Sequence, residues 1–280
     1  MGGQERVVVG YWRTRALGQP VRVMLAYMGV PFEDRQYQVG DPPTFDKSVW
    51  AEAKPALEKQ GLDFPNLPYI IDTDGTAVSQ TRTIMRYLAR SRPEHKLLGT
   101  TPKEETRADL MTEVVFDIWS TFFTMTYSSW LDFASKRDSF FRETLPPQMR
   151  RLDRELKVFE WAAGPTLTYS DFLIHEALFQ MREFDPDFFQ SKEDPEEYKG
   201  IRAYMEKFEA LPKVAAYVKS DAYLHYPFHN RYSNFVEWKD GKPIPLSQWK
   251  EGPRARLHGP PAGRPSLTGE KSFLHTVNYP

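Results

Sequence analysis

The chain of 280 residues contains no cysteine. That absence excludes a disulfide framework, a thiolate zinc site, an iron–sulfur centre and a cysteine nucleophile. The chain also has almost no net charge, because 37 Lys and Arg residues oppose 38 Asp and Glu residues. This balance weighs against a nucleic-acid partner, whose binding domain needs a basic stripe. Any thiol chemistry must therefore act on a thiol that a ligand brings.

Long apolar runs are missing as well. No stretch approaches the roughly 18 apolar residues of a membrane-spanning helix, and the first six residues lack the apolar core of a secretion signal. We therefore expect a cytoplasmic protein with no membrane partner. The remaining composition, 40% hydrophobic and 27% charged, is typical of a globular protein. Its length predicts two domains or one large one.

The first ninety residues alternate short β-branched runs with amphipathic segments, in the order β-α-β-α-β-β-α. An Asp-Gly pair at residues 74–75 predicts the turn of a hairpin. The predicted strands cover 6–11, 32–37, 69–72 and 77–79, and the predicted helices cover 20–28, 46–57 and 83–90.

From about residue 102 to residue 218 the pattern is helical throughout. One long helix is predicted over 104–131 and a second over 138–161, and two shorter ones over 198–211 and 213–219. Between them, Thr168 and Asp171 have the spacing of a capping box at the start of another helix. An α/β half followed by an all-helical half predicts two packed domains.

The last forty residues, 241–280, are rich in proline and glycine and cannot form a packed core of their own. One interpretation is a solvated tail. The other is an arm that docks on its own domain or on a protein partner, anchored by Trp249, Phe273 and Tyr279.

A phenol and a proline mark the first candidate site. Tyr11 ends the first predicted strand, where ligands of α/β sheets usually lie, and its O–H could steady a thiolate. The alternative is an ordinary surface tyrosine. Pro68 directly precedes a predicted strand, and if its peptide bond were cis, the backbone of Leu67 would face a ligand like an added strand. A trans turn is the alternative there.

Two further places could hold carboxylates. Gln80 and Thr81 lie between a strand and a helix, where exposed amides and a hydroxyl form an anion site or a plain helix cap. Trp50 and Lys54 lie on one face of a predicted helix, as a second carboxylate site or as a lysine stem covering an indole. A ligand with a carboxylate at each end and a thiol between them fits this set, and glutathione is such a ligand.

Three long motifs carry a specific resemblance. Residues 10–22 (GYWRTRALGQPVR), 61–72 (GLDFPNLPYIID) and 79–90 (SQTRTIMRYLAR) resemble blocks of the Mu-class glutathione transferases. Residues 37–42 (YQVGDP) resemble the loop that distinguishes this class. The resemblance spans about residues 7–238. It implies a thioredoxin-like glutathione-binding domain at 1–92 and an all-helical electrophile-binding domain at 93–240, with 241–280 as an additional tail.

The resemblance also implies residue roles. Tyr11 would bond the glutathione thiolate, and Tyr127 would act on the electrophile. Asp117 would reach the glutathione of a partner subunit, and Phe64 would insert into that subunit as the key of a homodimer. The glutathione-binding set would comprise Trp12, Leu17, Lys47, Trp50, Lys54, Asn66, Leu67, Pro68, Gln80, Thr81 and Asp117. The electrophile pocket would be lined by Trp12, Thr14, Leu17, Tyr127 and a residue near Phe228.

The implied activity is conjugation of reduced glutathione to hydrophobic electrophiles, as in detoxification, with glutathione as co-substrate and no metal or other cofactor. The alternative is a structural or ligand-binding relative, incorporated into a larger assembly through the tail. Besides the tail, five features depart from the class: Thr81 replaces serine, Lys47 replaces arginine, Ala16 replaces a glycine beside the active-site loop, residues 58–60 form an insertion, and residues 160–167 form a shortened stretch between two helices. The sequence does not identify the electrophile.

Overall fold

The computed structural model describes residues 6–41, 44–190 and 194–235, with the residue pairs 238–239 and 242–243. A four-stranded sheet with three helices comes first in the chain, and a helical half follows it. This is the thioredoxin-like plus all-helical architecture that the sequence predicted. The three aromatic anchors of the expected tail lie outside the described residues.

The sheet has the order β2-β1-β3-β4, made of β1 (Val7–Trp12), β2 (Phe32–Tyr37), β3 (Tyr69–Ile71) and β4 (Ala77–Ser79). β2 runs parallel to β1, whereas β3 runs antiparallel to β1 and pairs with β4 in a hairpin. Successive residues of β1 face opposite sides, so Val7 and Val9 enter the main core and Val8 enters a smaller one. A strand buried on both faces needs this unbroken apolar run.

Three helices cover the sheet. They are α1 (Gln19–Met28), α2 (Ser48–Lys59) and α3 (Thr81–Ser91). α2 covers the smaller core through Trp50 and Leu57, while α1 and α3 contact each other and join the main core, which continues into the helical half. The β-α-β-α-β-β-α order predicted from the sequence is confirmed.

The helical half contains α4 (Pro102–Thr126), α5 (Trp130–Ser139), α6 (Leu145–Val158), α7 (Tyr169–Phe184), α8 (Lys199–Glu209) and α9 (Pro212–Val218). The predicted long helix over 104–131 is wrong at its end, because α4 stops at Thr126. Ser129 then caps α5 by accepting the backbone N–H of Asp132. The predicted start at 138 is also wrong, since that residue lies inside α5, and a π-helical turn (Phe140–Thr144) separates α5 from α6.

α7 lies between the two halves, in contact with α1, α3 and α4. The predicted capping box opens it: Thr168 accepts from the third helical residue, and Asp171 accepts the backbone N–H of Thr168. Asp171 is fully buried, and burial raises the pKa of its carboxyl. Its other bonds come from the backbone N–H of Ala162 and the phenol of Tyr204.

After α9 the chain turns back across both halves. We call residues 222–235 the closing segment. The carbonyls of Pro227 and Phe228 accept the backbone N–H groups of Arg15 and Ala16, and Asn234 donates its N–H to the end of α4 at Thr126. A short antiparallel pair, Trp238–Lys239 with Lys242–Pro243, lies across the expected boundary at residue 240. No helix in the described ranges has both the length and the apolar character to cross a membrane.

Candidate functional site

Tyr11 lies at the carboxyl end of β1, and its hydroxyl oxygen accepts the backbone N–H of Leu17 at 3.2 Å. A phenol oxygen can accept this bond while its own proton is donated elsewhere. The ring packs against the loop that returns to α1, where a Cβ added at Gly18 would lie 2.5 Å from the ring. Glycine at that position therefore allows the phenol to lie against the loop.

The loop from Arg15 to Leu17 carries the departure noted in the sequence. Ala16 has a φ of 31°, in the left-handed region that favours glycine. Its backbone N–H donates to the carbonyl of Phe228 at 3.0 Å, and that of Arg15 donates to the carbonyl of Pro227 at 2.9 Å. The closing segment therefore fixes the loop that supplies the donor to Tyr11.

The segment before β3 contains the expected backbone site at Leu67 and Pro68. The Leu67–Pro68 peptide bond is cis, as the resemblance implied and the dipeptide alone did not. The backbone N–H of Leu67 donates to the side-chain oxygen of Asn66 at 2.9 Å. The N–H of Leu67 is therefore bonded to a polar side chain, and a ligand could take the place of that side chain.

The residues expected to hold carboxylates form two sets, Trp50 with Lys54 and Gln80 with Thr81. Trp50 packs against Tyr69 with ring centroids 6.1 Å apart, and the Nζ of Lys54 lies 5.5 Å from the Trp50 ring centroid. In the second set, exposed Gln80 precedes α3 with a φ of 73°. Thr81 is buried and donates its hydroxyl to the carbonyl of Leu17 at 3.1 Å, which ties the start of α3 to the Tyr11 loop.

Tyr127 follows α4 directly, and the closing segment holds it. Its hydroxyl oxygen accepts the backbone N–H of Asn230 at 3.0 Å. Its ring stacks on His229, with centroids 5.2 Å apart and planes at 10°, and lies 5.3 Å from the ring of Tyr232. Both the ring and the oxygen of Tyr127 are therefore positioned by residues about one hundred places later in the chain.

Two of the expected pocket residues do not face solvent. Thr14 is 2% exposed and Phe228 is 3% exposed. The ring of Phe228 stacks on Phe235 at 4.8 Å. Trp12 is half-buried and contacts both cores. Their assignment to the electrophile pocket stays a prediction.

Sequence reasoning missed the residues of the closing segment around Tyr127. Tyr232 contacts Tyr127, lies 5.8 Å from the ring of Phe45 and is covered by the Nζ of Lys47 at 4.7 Å. His229 is fully buried, and burial lowers the pKa of its imidazole to about 3. No local motif signals either residue, because their partners come from distant parts of the chain.

Exposed apolar side chains occur next to the sheet and on α4. Phe64 is 81% exposed, although its carbonyl accepts the hydroxyl of Ser79 at 2.8 Å. On α4, Leu110 and Val114 are 56% and 43% exposed and share a face with exposed Asp117. Exposed apolar side chains of this size are candidates for contact with another protein surface.

Comparisons with known proteins agree with the fold described above. A sequence model described as the N-terminal domain of glutathione S-transferase matches residues 7–90, and one described as the C-terminal domain matches residues 116–221. Glutathione S-transferase Mu 3 of Homo sapiens is 34% identical over 244 residues, which cover 87% of this chain and 100% of that protein. Glutathione S-transferase 2 of Gallus gallus is 37% identical over 221 residues, 79% of this chain and 93% of that protein.

A solved structure extends the similarity to three dimensions. The glutathione S-transferase Blo t 8 superimposes with a TM-score of 0.69 and 26% sequence identity, over 81% of this chain and 98% of that chain.

Proposed function

This chain belongs to the glutathione S-transferase family and is a glutathione transferase, with reduced glutathione as its co-substrate, and we propose that Tyr11 is the residue that activates the thiol. The observation that carries the proposal is the bond from Leu17 N–H to the Tyr11 oxygen, which fixes the phenol at the carboxyl end of β1. We propose that the O–H of Tyr11 is donated to the glutathione thiolate.

Stabilising the thiolate is the main energetic task. A free thiol has a pKa near 8.5, and each unit of lowering corresponds to about 1.4 kcal/mol. A charge-assisted hydrogen bond from Tyr11 supplies about 1.5–3 kcal/mol. A contribution above about 2 kcal/mol lowers the pKa of the thiol below 7 and makes the thiolate dominant at neutral pH, and the proton leaves to solvent.

The same proposal assigns residues to the two carboxylates and the cysteinyl unit of glutathione. Gln80 and the start of α3 at Thr81 would receive the γ-glutamyl carboxylate, and Trp50 with Lys54 the glycyl carboxylate, assisted by Lys47. The backbone of Leu67 would pair with the cysteinyl unit once Asn66 releases its N–H. Trp12 and Leu17 would border the tripeptide.

The thiolate attacks a hydrophobic electrophile held beside Tyr127. With an aryl chloride, the S–C bond forms and chloride leaves with the electron pair of the C–Cl bond. With an epoxide, the C–O bond breaks and the Tyr127 O–H protonates the oxygen that leaves. Trp12, Thr14, Leu17 and Phe228 belong to the proposed pocket. The consequence is a more polar product, which suits detoxification.

We place the reaction in a homodimer. Phe64 is 81% exposed, and Leu110 and Val114 on α4 are exposed as well, so all three side chains could pack against a partner surface. Asp117 lies on that face, where its carboxylate could meet the γ-glutamyl amine bound to the partner subunit. A cytoplasmic location fits a co-substrate that must stay reduced.

Retention on immobilised glutathione, with release by free glutathione, tests the binding, and turnover of 1-chloro-2,4-dinitrobenzene tests the chemistry. Lys54→Met should weaken retention, because it removes the charge beside Trp50 but keeps most of the stem. Lys59→Met, at the exposed end of the same helix, is the matched control and should bind like the wild type. Failure of the folded wild type to bind would reject the proposal.

A further inference from the structure

Four buried polar side chains form a continuous chain through the centre of the molecule. Arg15 binds Glu176 through two parallel bonds, Nε to Oε1 at 3.0 Å and Nη2 to Oε2 at 2.6 Å. The Nε2 of Gln180 donates to Oε1 of Glu176 at 2.8 Å, and Oε1 of Gln180 lies 3.0 Å from Nε2 of His229. Each of the four residues is at most 2% exposed.

The direction of every bond in this chain is determined. The carboxylate of Glu176 only accepts, so the amide nitrogen of Gln180 must face it and the amide oxygen must face His229. His229 therefore carries its proton on Nε2 and donates it to Gln180. Its Nδ1 is left as an acceptor for Thr126 at 3.1 Å or Ser233 at 3.2 Å. Because burial lowers the pKa of His229 to about 3, the imidazole stays neutral.

The two ends of the chain lie at the two halves of the proposed reaction. Arg15 is two residues before Leu17, the donor to Tyr11. His229 stacks on the ring of Tyr127, and its neighbour Asn230 donates to the Tyr127 oxygen. A fixed imidazole thus holds both the plane of Tyr127 and the backbone that reaches its hydroxyl.

We propose that His229 is a positioning residue for Tyr127, and that Arg15, through Glu176 and Gln180, sets its orientation. The inference rests on the proposed role of Tyr127 as proton donor to the electrophile. A side chain that touches neither substrate thereby determines which electrophiles are used efficiently. Electrophiles whose leaving oxygen needs a proton depend on this series of buried hydrogen bonds, whereas aryl halides do not.

The ratio of kcat for styrene oxide to kcat for 1-chloro-2,4-dinitrobenzene measures this dependence directly. His229→Phe keeps an aromatic ring but loses the bond to Gln180, and Gln180→Leu cuts the same bond from the other side. Each should lower the ratio by about 3- to 30-fold. His229→Gln restores an N–H donor and should return the ratio to within about 2-fold of the wild type.

Two controls separate positioning from general damage. Tyr204→Phe removes a buried hydrogen bond to Asp171 in the same helical half and should leave the ratio unchanged. The pKa of the thiol of bound glutathione, followed by the ultraviolet absorbance of the thiolate, should also stay at the wild-type value in His229→Phe, Gln180→Leu and His229→Gln. If His229→Phe does not fold, Gln180→Leu gives the same test.

A wild-type ratio in both His229→Phe and Gln180→Leu, together with a low ratio in Tyr127→Phe, would overturn the inference while the proposed function stands. A wild-type ratio in Tyr127→Phe would reject the role of Tyr127 itself, and the inference with it. If Tyr204→Phe lowered the ratio by the same factor, the inference would also be overturned. Any variant that destabilises the core would then lower the ratio.

Discussion

The groups proposed to surround the glutathione thiol come from residues 11–81, whereas Tyr127 is held by Asn230, whose bond to it spans 103 positions of the chain. On the glutathione side, Gln80 is exposed, Lys54 is half-buried, and the backbone of Leu67 takes part. On the electrophile side, the supporting residue His229 is fully buried. The glutathione side presents polar groups to water, whereas the electrophile side holds the hydroxyl of Tyr127 through buried residues.

This difference matches the two substrates. Glutathione has a constant structure, so short motifs within one small domain can recognise it. Electrophiles vary, and the site proposed for them includes the closing segment, which can change without altering those motifs. In the described ranges, the only buried ion pair that joins the two sides is Arg15 with Glu176. Variants of that pair therefore test the link between the two sides most directly.

Glu176→Ala should have the largest effect on stability. Burial would lower the pKa of Arg15, but the Glu176 carboxylate and the Tyr223 oxygen raise it overall, and the guanidinium stays charged. Without Glu176 it becomes a buried charge that lacks its counterion, which costs about 3–5 kcal/mol of unfolding free energy. Urea denaturation measures this loss, and both halves should lose stability in one transition.

Glu155→Ala is the control for that variant. Glu155 pairs with Arg107 at 2.7 Å but is half exposed, so its loss should cost less than about 1 kcal/mol. Equal losses in the two variants would show that the buried pair contributes no more than a surface pair.

Tyr11→Phe should affect only the glutathione side. Removing a bond worth about 1.5–3 kcal/mol should raise the pKa of the bound thiol by about 1–2 units. Turnover near neutral pH should fall by about 10- to 100-fold, while KM for the electrophile changes little. Thiolate absorbance against pH measures the first effect. An unchanged pH profile would remove Tyr11 from the thiol site.

Phe64→Ala tests the dependence of the glutathione side on a second subunit. Burying an aromatic side chain contributes about 1.5–3 kcal/mol, so the dissociation constant of the dimer should rise by at least about 10-fold. Sedimentation velocity at several concentrations measures this shift. Val158→Ala, at another exposed apolar residue, should leave the dimer intact. A wild-type monomer that still binds glutathione would contradict the shared site.

Thr81→Val should give the smallest effect. It removes the hydroxyl bond to the carbonyl of Leu17 while keeping the shape of the side chain, at a cost of about 0.5–1.5 kcal/mol of stability. Thr81→Ser keeps the hydroxyl and should stay close to the wild type. Thermal or urea unfolding compares the two, and equal losses would show that the methyl group matters rather than the bond.

Much of the fold could be predicted from the sequence because its signals are local. The β-branched run of β1, the Asp-Gly turn before β4 and the capping box at Thr168 each act within a few residues. The long helix over 104–131 was wrong because apolar periodicity continues past Thr126. The cap at Ser129, which starts a new helix, lies within that continuing apolar pattern, so the periodicity does not mark it as a boundary.

The support of Tyr127 could not be predicted in the same way. Glu176 and Gln180 are four residues apart on α7, a spacing typical of exposed helical pairs as well as buried ones. Their roles depend on Arg15, 161 positions earlier, and on His229, 49 positions after Gln180. Such contacts arise from tertiary packing, and no local pattern indicates which polar residues it will bury together.

The bonds from Arg15 and Ala16 to Pro227 and Phe228 have a consequence for biosynthesis. The ribosome makes the chain from the N-terminus, and N-terminal domains generally fold first. The guanidinium of Arg15 bonds Glu176, 161 positions later, and the carbonyl of Leu224, 209 positions later, while the backbone N–H groups of Arg15 and Ala16 bond Pro227 and Phe228. The loop beside Tyr11 therefore gains its last partners only after the closing segment has been synthesised, and a chain cut short before residue 227 lacks these bonds.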